Sequence, residues 1–565
     1  MLKKMSILHN GVEEQLTDKL LIEKWDDNYV WEYNKTEKPD YCLFNNCEKA
    51  IELLNKHIEA NGRIILHTDV DMDGVGTTYI MLKFLKYMGV SCTPLIINKE
   101  KIHGIQAKQI DYINKAKAAD LVIITDSSTN EVEAVKKFEC DVLVIDHHDV
   151  VDKQGETFGH CNDNEHRFVI VNNTVENNDF EASKLLIEKH KSIDVEKIKQ
   201  FDGDARMSCG LVVYELLRVY CVCFSDERVL ENLKLYQWAT ITLFTDIVDT
   251  VTKRNQWYLD KTLLGNETEG TLNTVLNILD KYKSKIDKSF IQYKFAPLVN
   301  KTIRAGESTK ALDIIINNIN RLQELRKYEA IQKEAIERAV CIKTSGQLGI
   351  QTTSKIVFKG KTIMLDISNL DISKNYTGVI ASRLSGDNGK SAAVYIKDNG
   401  VCQGSFRGKY KDIKYREIFE EYSSDIYAQG HNTSFGFKLT EEQLSELMQK
   451  IGDIEQTVDK RPYITMGNMT DSEMGVYHIK DISEFKQQGF LWKLAIGNSK
   501  VTSPDELLIR VKTADMALKR VGEKIFYYDV FGIECKAFSP IKGEYADVYL
   551  EYSGEISAYI RGIAV

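Results

Sequence analysis

No run of about 18 apolar residues occurs anywhere in the 565-residue chain, so no segment reads as a membrane-spanning helix. The opening residues, Met1 to Ile7, are not followed by the apolar core of a secretory signal. Paired cysteines are missing too. The 11 cysteines are scattered, Cys221 and Cys223 are the nearest neighbours, and no C-x-x-C pair repeats. That pattern excludes a disulfide frame and a zinc ribbon and predicts reduced thiols in a cytoplasmic protein. An excess of basic charge is also absent. A net charge of −9 argues against a broadly basic nucleic-acid binder, but not against local basic patches or an acidic site covered by cations.

What is present is ordinary for a globular chain: 43% hydrophobic and 28% charged residues, with a length that implies three or four domains. The informative stretch is His67-Thr68-Asp69-Val70-Asp71-Met72-Asp73-Gly74. It follows the strand-type run Arg63–Leu66 and precedes a helix predicted over Val75–Met88, ending at Gly89. Three carboxylates and an imidazole thus leave a strand and enter a turn, where an open α/β sheet has its ligand crevice. Acids spaced two apart repel one another, and a bound cation rationalises the spacing. Read alone, such a turn is equally a solvated loop or a helix cap.

Strand and helix patterns alternate beyond it. Thr93–Ile97 reads as a strand, Gln106–Ala118 as a helix, and Asp120–Thr125 as an apolar strand running into Asp126. Glu131–Phe138 reads as a helix and Asp141–Ile145 as a strand ending in Asp146-His147-His148-Asp149. The alternation predicts an α/β fold with a doubly wound parallel sheet. Three strands would deliver acids or imidazoles to one edge. Mixed Asp and His without Cys suits Mn²⁺ or a similar divalent ion better than structural zinc.

These stretches, with Thr245-Asp246-Ile247-Val248-Asp249, resemble the four motifs of the DHH phosphoesterases, and within that superfamily the RecJ type of single-strand-specific exonuclease. Gly378–Leu384, Gly404–Gly408 and Gln429–Phe437 resemble the accessory DHHA1 domain, with Gln429 where a glycine is usual. The segment 150–206, rich in Asn and acids, departs from the family. The likeness covers about residues 48–440. It implies an N-terminal segment plus phosphoesterase domain over 1–270, a helical connector over 271–344 with a long helix within Thr309–Val340, and a DHHA1-like α/β domain over 345–452. Residues 453–565 read as a β-rich, OB-like domain, with Trp492, Tyr527, Phe531 and Tyr549 as candidate stacking aromatics.

The resemblance also implies a chemistry. Two Mn²⁺ (or Mg²⁺) ions would activate water: His67 and Asp71 hold one, Asp73, His147 and Asp246 the other, with Asp126 between them. Asp69 is expected to orient His67 or to be a ligand itself, and His148 to contact the phosphate or protonate the leaving oxygen. Ser382, Arg383, Arg407, Gly430, His431 and Asn432 would grip substrate phosphates. The expected activity is 5′→3′ hydrolysis of single-stranded nucleic acid, foremost DNA, with a single-strand-binding protein or helicase as partner and no membrane. The competing readings are a phosphodiesterase for short oligonucleotides or cyclic dinucleotides, and a non-catalytic DNA-binding replication or repair component.

Overall fold

The computed structural model describes residues 6–9, 12–15, 38–96, 104–148, 150, 161–162, 167–175, 180–181, 184–185, 188, 198–200, 207–246, 253–263, 265, 267–281, 286–287, 290–340, 356–359, 362–410, 413–422, 427–457, 463–465, 506–521, 525–530, 533–537, 540–541, 545–552 and 556–564. Asp149, Ile247–Asp249, Trp492 and Phe531, and most of the 150–206 segment, lie outside them.

Ile64–Thr68 (β1), Cys92–Ile96 (β2), Leu121–Thr125 (β3), Asp141–Asp146 (β4) and Arg167–Asn172 (β5) form a parallel sheet in the order β2-β1-β3-β4-β5. A short antiparallel strand, Cys161–Asn162, lies beside β5. Alternate side chains face opposite ways, and both faces are buried. Leu66, Leu121, Ile123, Leu143 and Ile145 join the core made with Cys47–Glu59 (α1), Met72–Tyr87 (α2), Cys209–Phe224 (α4) and Leu235–Thr245 (α5). Ile65, Val122, Ile124, Val142 and Val144 pack against Ile110 and Ile113 of Ala107–Ala116 (α3) and against Val132 and Val135. Burial on both faces is why these strands read as continuous apolar runs and not as alternating ones. The strand order reverses between β1 and β3, which makes the C-terminal ends of those two strands the crevice. The helix expected over Glu131–Phe138 shrinks to one turn, Val132–Val135.

The connector is helical but not one long helix. Ala296–Arg304 (α6) and Ser308–Ile316 (α7) are followed by a 3₁₀ segment, Ile319–Arg326, and by Lys327–Val340 (α8). The break falls at Asn317-Asn318. Both side-chain amides donate to the Asp313 carboxylate, at 3.1 and 3.0 Å, and both backbone N–H groups reach the Asp313 carbonyl. Such local side-chain bonds compete with helix propagation.

A second sheet contains Ile356–Lys359 (β6), Thr362–Asp366 (β7), Ala392–Asp398 (β8), Val401–Arg407 (β9), Tyr427–His431 (β10) and Ser434–Thr440 (β11), in the order β6-β7-β8-β9-β11-β10. Thr377–Asn388 (α9) covers one face together with Ala335 and Ala339 of α8, so the connector is built into this core. Glu441–Thr457 (α10) covers the other. The tail is mainly β, as expected. Its sheet also takes in Ser6–His9 and Val12–Gln15, because Ser6–Leu8 pair with Tyr463–Thr465. No local sequence pattern announces that long-range pairing. Among the described residues, no helix is long and apolar enough to cross a membrane.

Candidate metal centre

The first motif folds as a strand, a two-residue turn and a helix start. β1 ends at Thr68, and Asp71 caps α2 by accepting the Gly74 N–H at 3.1 Å. A side chain at Gly74 would bring Cβ to 2.7 Å from the Asp69 carbonyl oxygen, so the turn closes only around glycine. Asp73, one residue inside α2, accepts the Cys209 and Gly210 N–H groups at 3.1 and 3.3 Å and the Thr77 hydroxyl at 3.2 Å. The N-terminus of α4 therefore holds a carboxylate carried by α2, as helix N-termini favour. Asp126 follows β3 with φ 64°, in the left-handed region that Asp tolerates better than most residues, and its N–H bonds the Ile145 carbonyl at 3.0 Å. Asp246 terminates α5.

His147 binds the Met207 carbonyl through Nδ1 at 2.9 Å, which places the ring proton there and leaves the Nε2 lone pair facing Asp126, Asp246 and Asp73 at 3.2, 3.5 and 3.8 Å. Three groups of potential ligand atoms converge, each within 4.8 Å: Asp73, His147 and Asp246; Asp69, Asp71 and Asp126; and Asp126, His147 and His148. Asp126 is common to two of them, and His147 links two.

The electrostatics fit a cation. Burial, then the neighbouring Asp246 and Asp71, push the Asp73 carboxyl well above its usual range. Burial, then Asp73, Asp71, Asp69 and Asp246, do the same to Asp126. His67 is 1% exposed and neither ring nitrogen has a hydrogen-bond partner. Burial lowers its pKa to about 4, against a smaller opposing pull from Asp69. A neutral buried imidazole with two unbonded nitrogens beside crowded carboxylates is a donor set that Mn²⁺ or Mg²⁺ would satisfy.

One of the two roles open to Asp69 changes. Asp69 does not orient His67 through a hydrogen bond. Its carboxylate groups with Asp71 and Asp126 and accepts the Gly104 N–H at 3.3 Å. His148, for its part, is fixed by Asp146, to which its Nδ1 lies at 2.8 Å. Asp146 also accepts the N–H groups of Thr129, His147 and His148. Burial alone would lower the His148 pKa, but Asp146 overcomes it and raises the value to about 10. Burial works the other way on Asp146, yet His148, His147 and the Thr129 bond hold that carboxyl well below the carboxylate range.

Of the residues expected to grip phosphate, Ser382 and Arg407 meet directly, with Arg407 Nε donating to Ser382 Oγ at 3.0 Å. Arg383 pairs with Asp387 on the same helix at 2.9 Å. Asn432 is tied into the fold: its Nδ2 donates to the Ile413 carbonyl at 2.7 Å and its Oδ1 accepts the Arg416 N–H at 3.3 Å. Gly430 and His431 pair by backbone with Phe435 and Ser434, and the His431 side chain lies outside the described part.

Sequence reasoning passed over Arg304, at the end of α6. Burial lowers its pKa, against opposing pulls from Asp71 of the acidic turn and from Tyr376. Its Nη1 donates to Gln332 at 3.2 Å, and its carbonyl accepts Asn375 Nδ2 at 3.2 Å. Burial and then the Arg304 charge lower the Arg407 pKa to about 10. The two guanidiniums thus repel each other while Arg304 is drawn to Asp71, and an anion between the arginines would relieve the repulsion. Nothing local marks Arg304, which reads as one cation among the polar positions of an amphipathic helix.

A doubly wound sheet with an Asp/His centre at its switch point, followed by a second α/β unit, defines the class: the fold is RecJ-like, and its first part resembles the DHH phosphoesterases. Residues 63–218 match the DHH family, N-terminal domain. The prophage-derived YorK protein of Bacillus subtilis (strain 168), provisionally named a single-strand DNA-specific exonuclease, is 21% identical over 448 residues, covering 72% of this chain and 68% of YorK. The crystal structure of RecJ from Thermus thermophilus in complex with Mn²⁺ superposes with a TM-score of 0.62 at 15% identity, over 94% of this chain and 73% of RecJ. The Mg²⁺ complex of the same protein gives 0.54 at 15% identity, over 93% and 71%.

The charge balance is open to measurement at two residues. Because the folded-state pKa of Asp126 is raised, its ionisation opposes folding at pH values above the ordinary Asp pKa of about 3.9, and that cost is absent at lower pH. Asp126→Asn is therefore expected to raise the Tm of the metal-free protein at pH 8, while removing most of the stabilisation added by Mn²⁺. Scanning calorimetry with and without EDTA and Mn²⁺ checks both; a metal-free variant less stable than the parent would contradict the charge balance. The second residue is His148. Its raised pKa contributes stability that is complete below about pH 6.5 and lost as pH rises through about 10. Imidazole NMR titration of the metal-free protein is expected to show His148 protonated at pH 8, and Asp146→Asn to lower its midpoint by more than one unit.

Proposed function

We propose that the chain is a metal-dependent exonuclease that hydrolyses single-stranded DNA from the 5′ end. The observation that carries this reading is the juxtaposition of an acidic, imidazole-containing centre with the Arg304–Arg407 pair. Divalent ions held by the acidic centre and guanidiniums nearby would share the charge of a phosphodiester, and Arg304 interacts with both Asp71 and Arg407. His67 and Asp71 would hold one divalent ion, Asp73, His147 and Asp246 a second, with Asp126 shared. When bound, such ions supply Lewis acidity and lower the pKa of water enough to make a nucleophile at neutral pH.

The remaining work belongs to side chains. Arg304 and Arg407 would neutralise the non-bridging phosphoryl oxygens, and Ser382 fixes the plane of Arg407. His148, kept protonated by Asp146, would give its proton to the oxygen that leaves as the phosphorus–oxygen bond breaks, water having supplied the new bond. The basic stretch Arg407–Arg416 and the β-rich tail would track the strand beyond the cleavage point. The YorK likeness supports DNA as the substrate, and the RecJ likeness supports the fold that carries it.

Single strands of 5 to 60 nucleotides, labelled at either end, test the reading with Mn²⁺ and with EDTA. A 5′ label is expected to appear at once as mononucleotide, and a 3′ label as a descending ladder, with duplex spared and EDTA abolishing both. Asp126→Ala should lower turnover by more than about 100-fold. Arg304→Ala and Arg407→Ala should each flatten the salt dependence of strand binding by about 0.7 in log–log slope. Cleavage confined to dinucleotides or cyclic dinucleotides would replace this reading with the short-substrate phosphodiesterase, and a reversed ladder would reverse the polarity.

A further inference from the structure

Thr242 lies on α5, fully buried and one helical turn before Asp246. Its hydroxyl donates to the Ala239 carbonyl at 2.7 Å. A threonine has one hydroxyl hydrogen, so in its 2.8 Å contact with Ser208 Oγ the serine must be the donor. Ser208 is the N-cap of α4 and accepts the Leu211 N–H at 3.4 Å. A directional chain of hydrogen bonds therefore runs from the start of α4, through Ser208 and Thr242, into the backbone of α5.

The same side chain is also a steric junction. A Cβ on Gly76 of α2 would stand 2.7 Å from Thr242 Cγ2, and one on Gly210 of α4 would overlap Thr242 Oγ1. Glycine at both positions lets the two helices close onto one threonine. Each of the three helices carries part of the metal centre. α2 bears Asp73, the first amides of α4 hold the Asp73 carboxylate, and α5 ends on Asp246, whose N–H bonds the Thr242 carbonyl at 3.1 Å. The carboxylates of Asp73 and Asp246 repel each other, so the packing of the helices behind them must hold the gap.

We propose that Thr242 is a positioning residue for the metal centre: by locking α2, α4 and α5 together it sets the gap between Asp73 and Asp246 and so the affinity of the ion those residues share with His147. The proposal rests on the metal-dependent reading above and goes beyond it in assigning the geometry of that ion to a side chain that touches neither ion nor substrate.

Calorimetric titration of the full-length protein with Mn²⁺ tests it. Thr242→Ala is expected to weaken Mn²⁺ binding roughly 10- to 100-fold, the scale seen when groups supporting a metal ligand are removed. Thr242→Ser, which restores the hydroxyl chain, should recover most of the affinity. Ile241→Ala, a cavity one residue earlier on the same buried helix, should lower Tm at least as much yet leave Mn²⁺ affinity near that of the parent. Should Thr242→Ala fail to fold, Ser208→Ala breaks the same chain from the other side and is expected to weaken binding by a smaller factor. Parental affinity in Thr242→Ala or Ser208→Ala, or an equal loss in Ile241→Ala, overturns the assignment. Absence of Mn²⁺ binding by the unaltered chain would instead overturn the metal-dependent reading beneath it.

Discussion

Carboxylates that would repel one another in water are packed at the C-terminal edge of a parallel sheet, and the rest of the molecule is arranged to hold them there. Asp69, Asp71, Asp73, Asp126 and Asp246 come from three separate parts of the chain. Burial raises the cost of ionising at least two of them. The fold counters that cost with backbone amides at the start of α4, with a left-handed turn at Asp126, and with His147 anchored by the Met207 carbonyl. None of these removes the net negative charge. A divalent cation does.

Much of this was legible in the chain itself because the parallel sheet announces itself twice. Strands buried on both faces become apolar runs, and functional residues fall where those runs stop. Leu121–Thr125 into Asp126 and Asp141–Ile145 into Asp146-His147-His148 illustrate both. The second domain was legible through Ser382 and Arg407, which meet in space, but not in detail. Asn432 and Arg383 bear polar groups of the expected kind yet spend them on the Ile413–Arg416 loop and on Asp387.

What escaped the sequence depends on distance. Arg304 acquires its meaning only when the fold lets its charge act on both Asp71 of the acidic turn and Arg407. The pairing of Ser6–Leu8 with Tyr463–Thr465 of the C-terminal sheet joins residues more than 450 positions apart, far beyond the reach of any local pattern. The kink at Asn317-Asn318 was readable in principle, since both residues favour local bonds over helix. The surrounding charged stretch concealed it. Asp146 could pass as a helix or turn cap, and only its 2.8 Å contact to His148 distinguishes it as the group that keeps an imidazolium facing the site.

The central claim is that the acidic edge is an ion site first and a catalytic site because of it. The most direct measurement is Mn²⁺ stoichiometry on the full-length protein, by equilibrium dialysis with elemental analysis, for the parent and for His67→Ala. Two ions per chain are predicted in the parent and one in the variant, because on the proposed reading His67 would hold one ion with Asp71, while Asp73, His147 and Asp246 would hold the other. No bound Mn²⁺ in the parent, or two ions retained with parental affinity in His67→Ala, would contradict it.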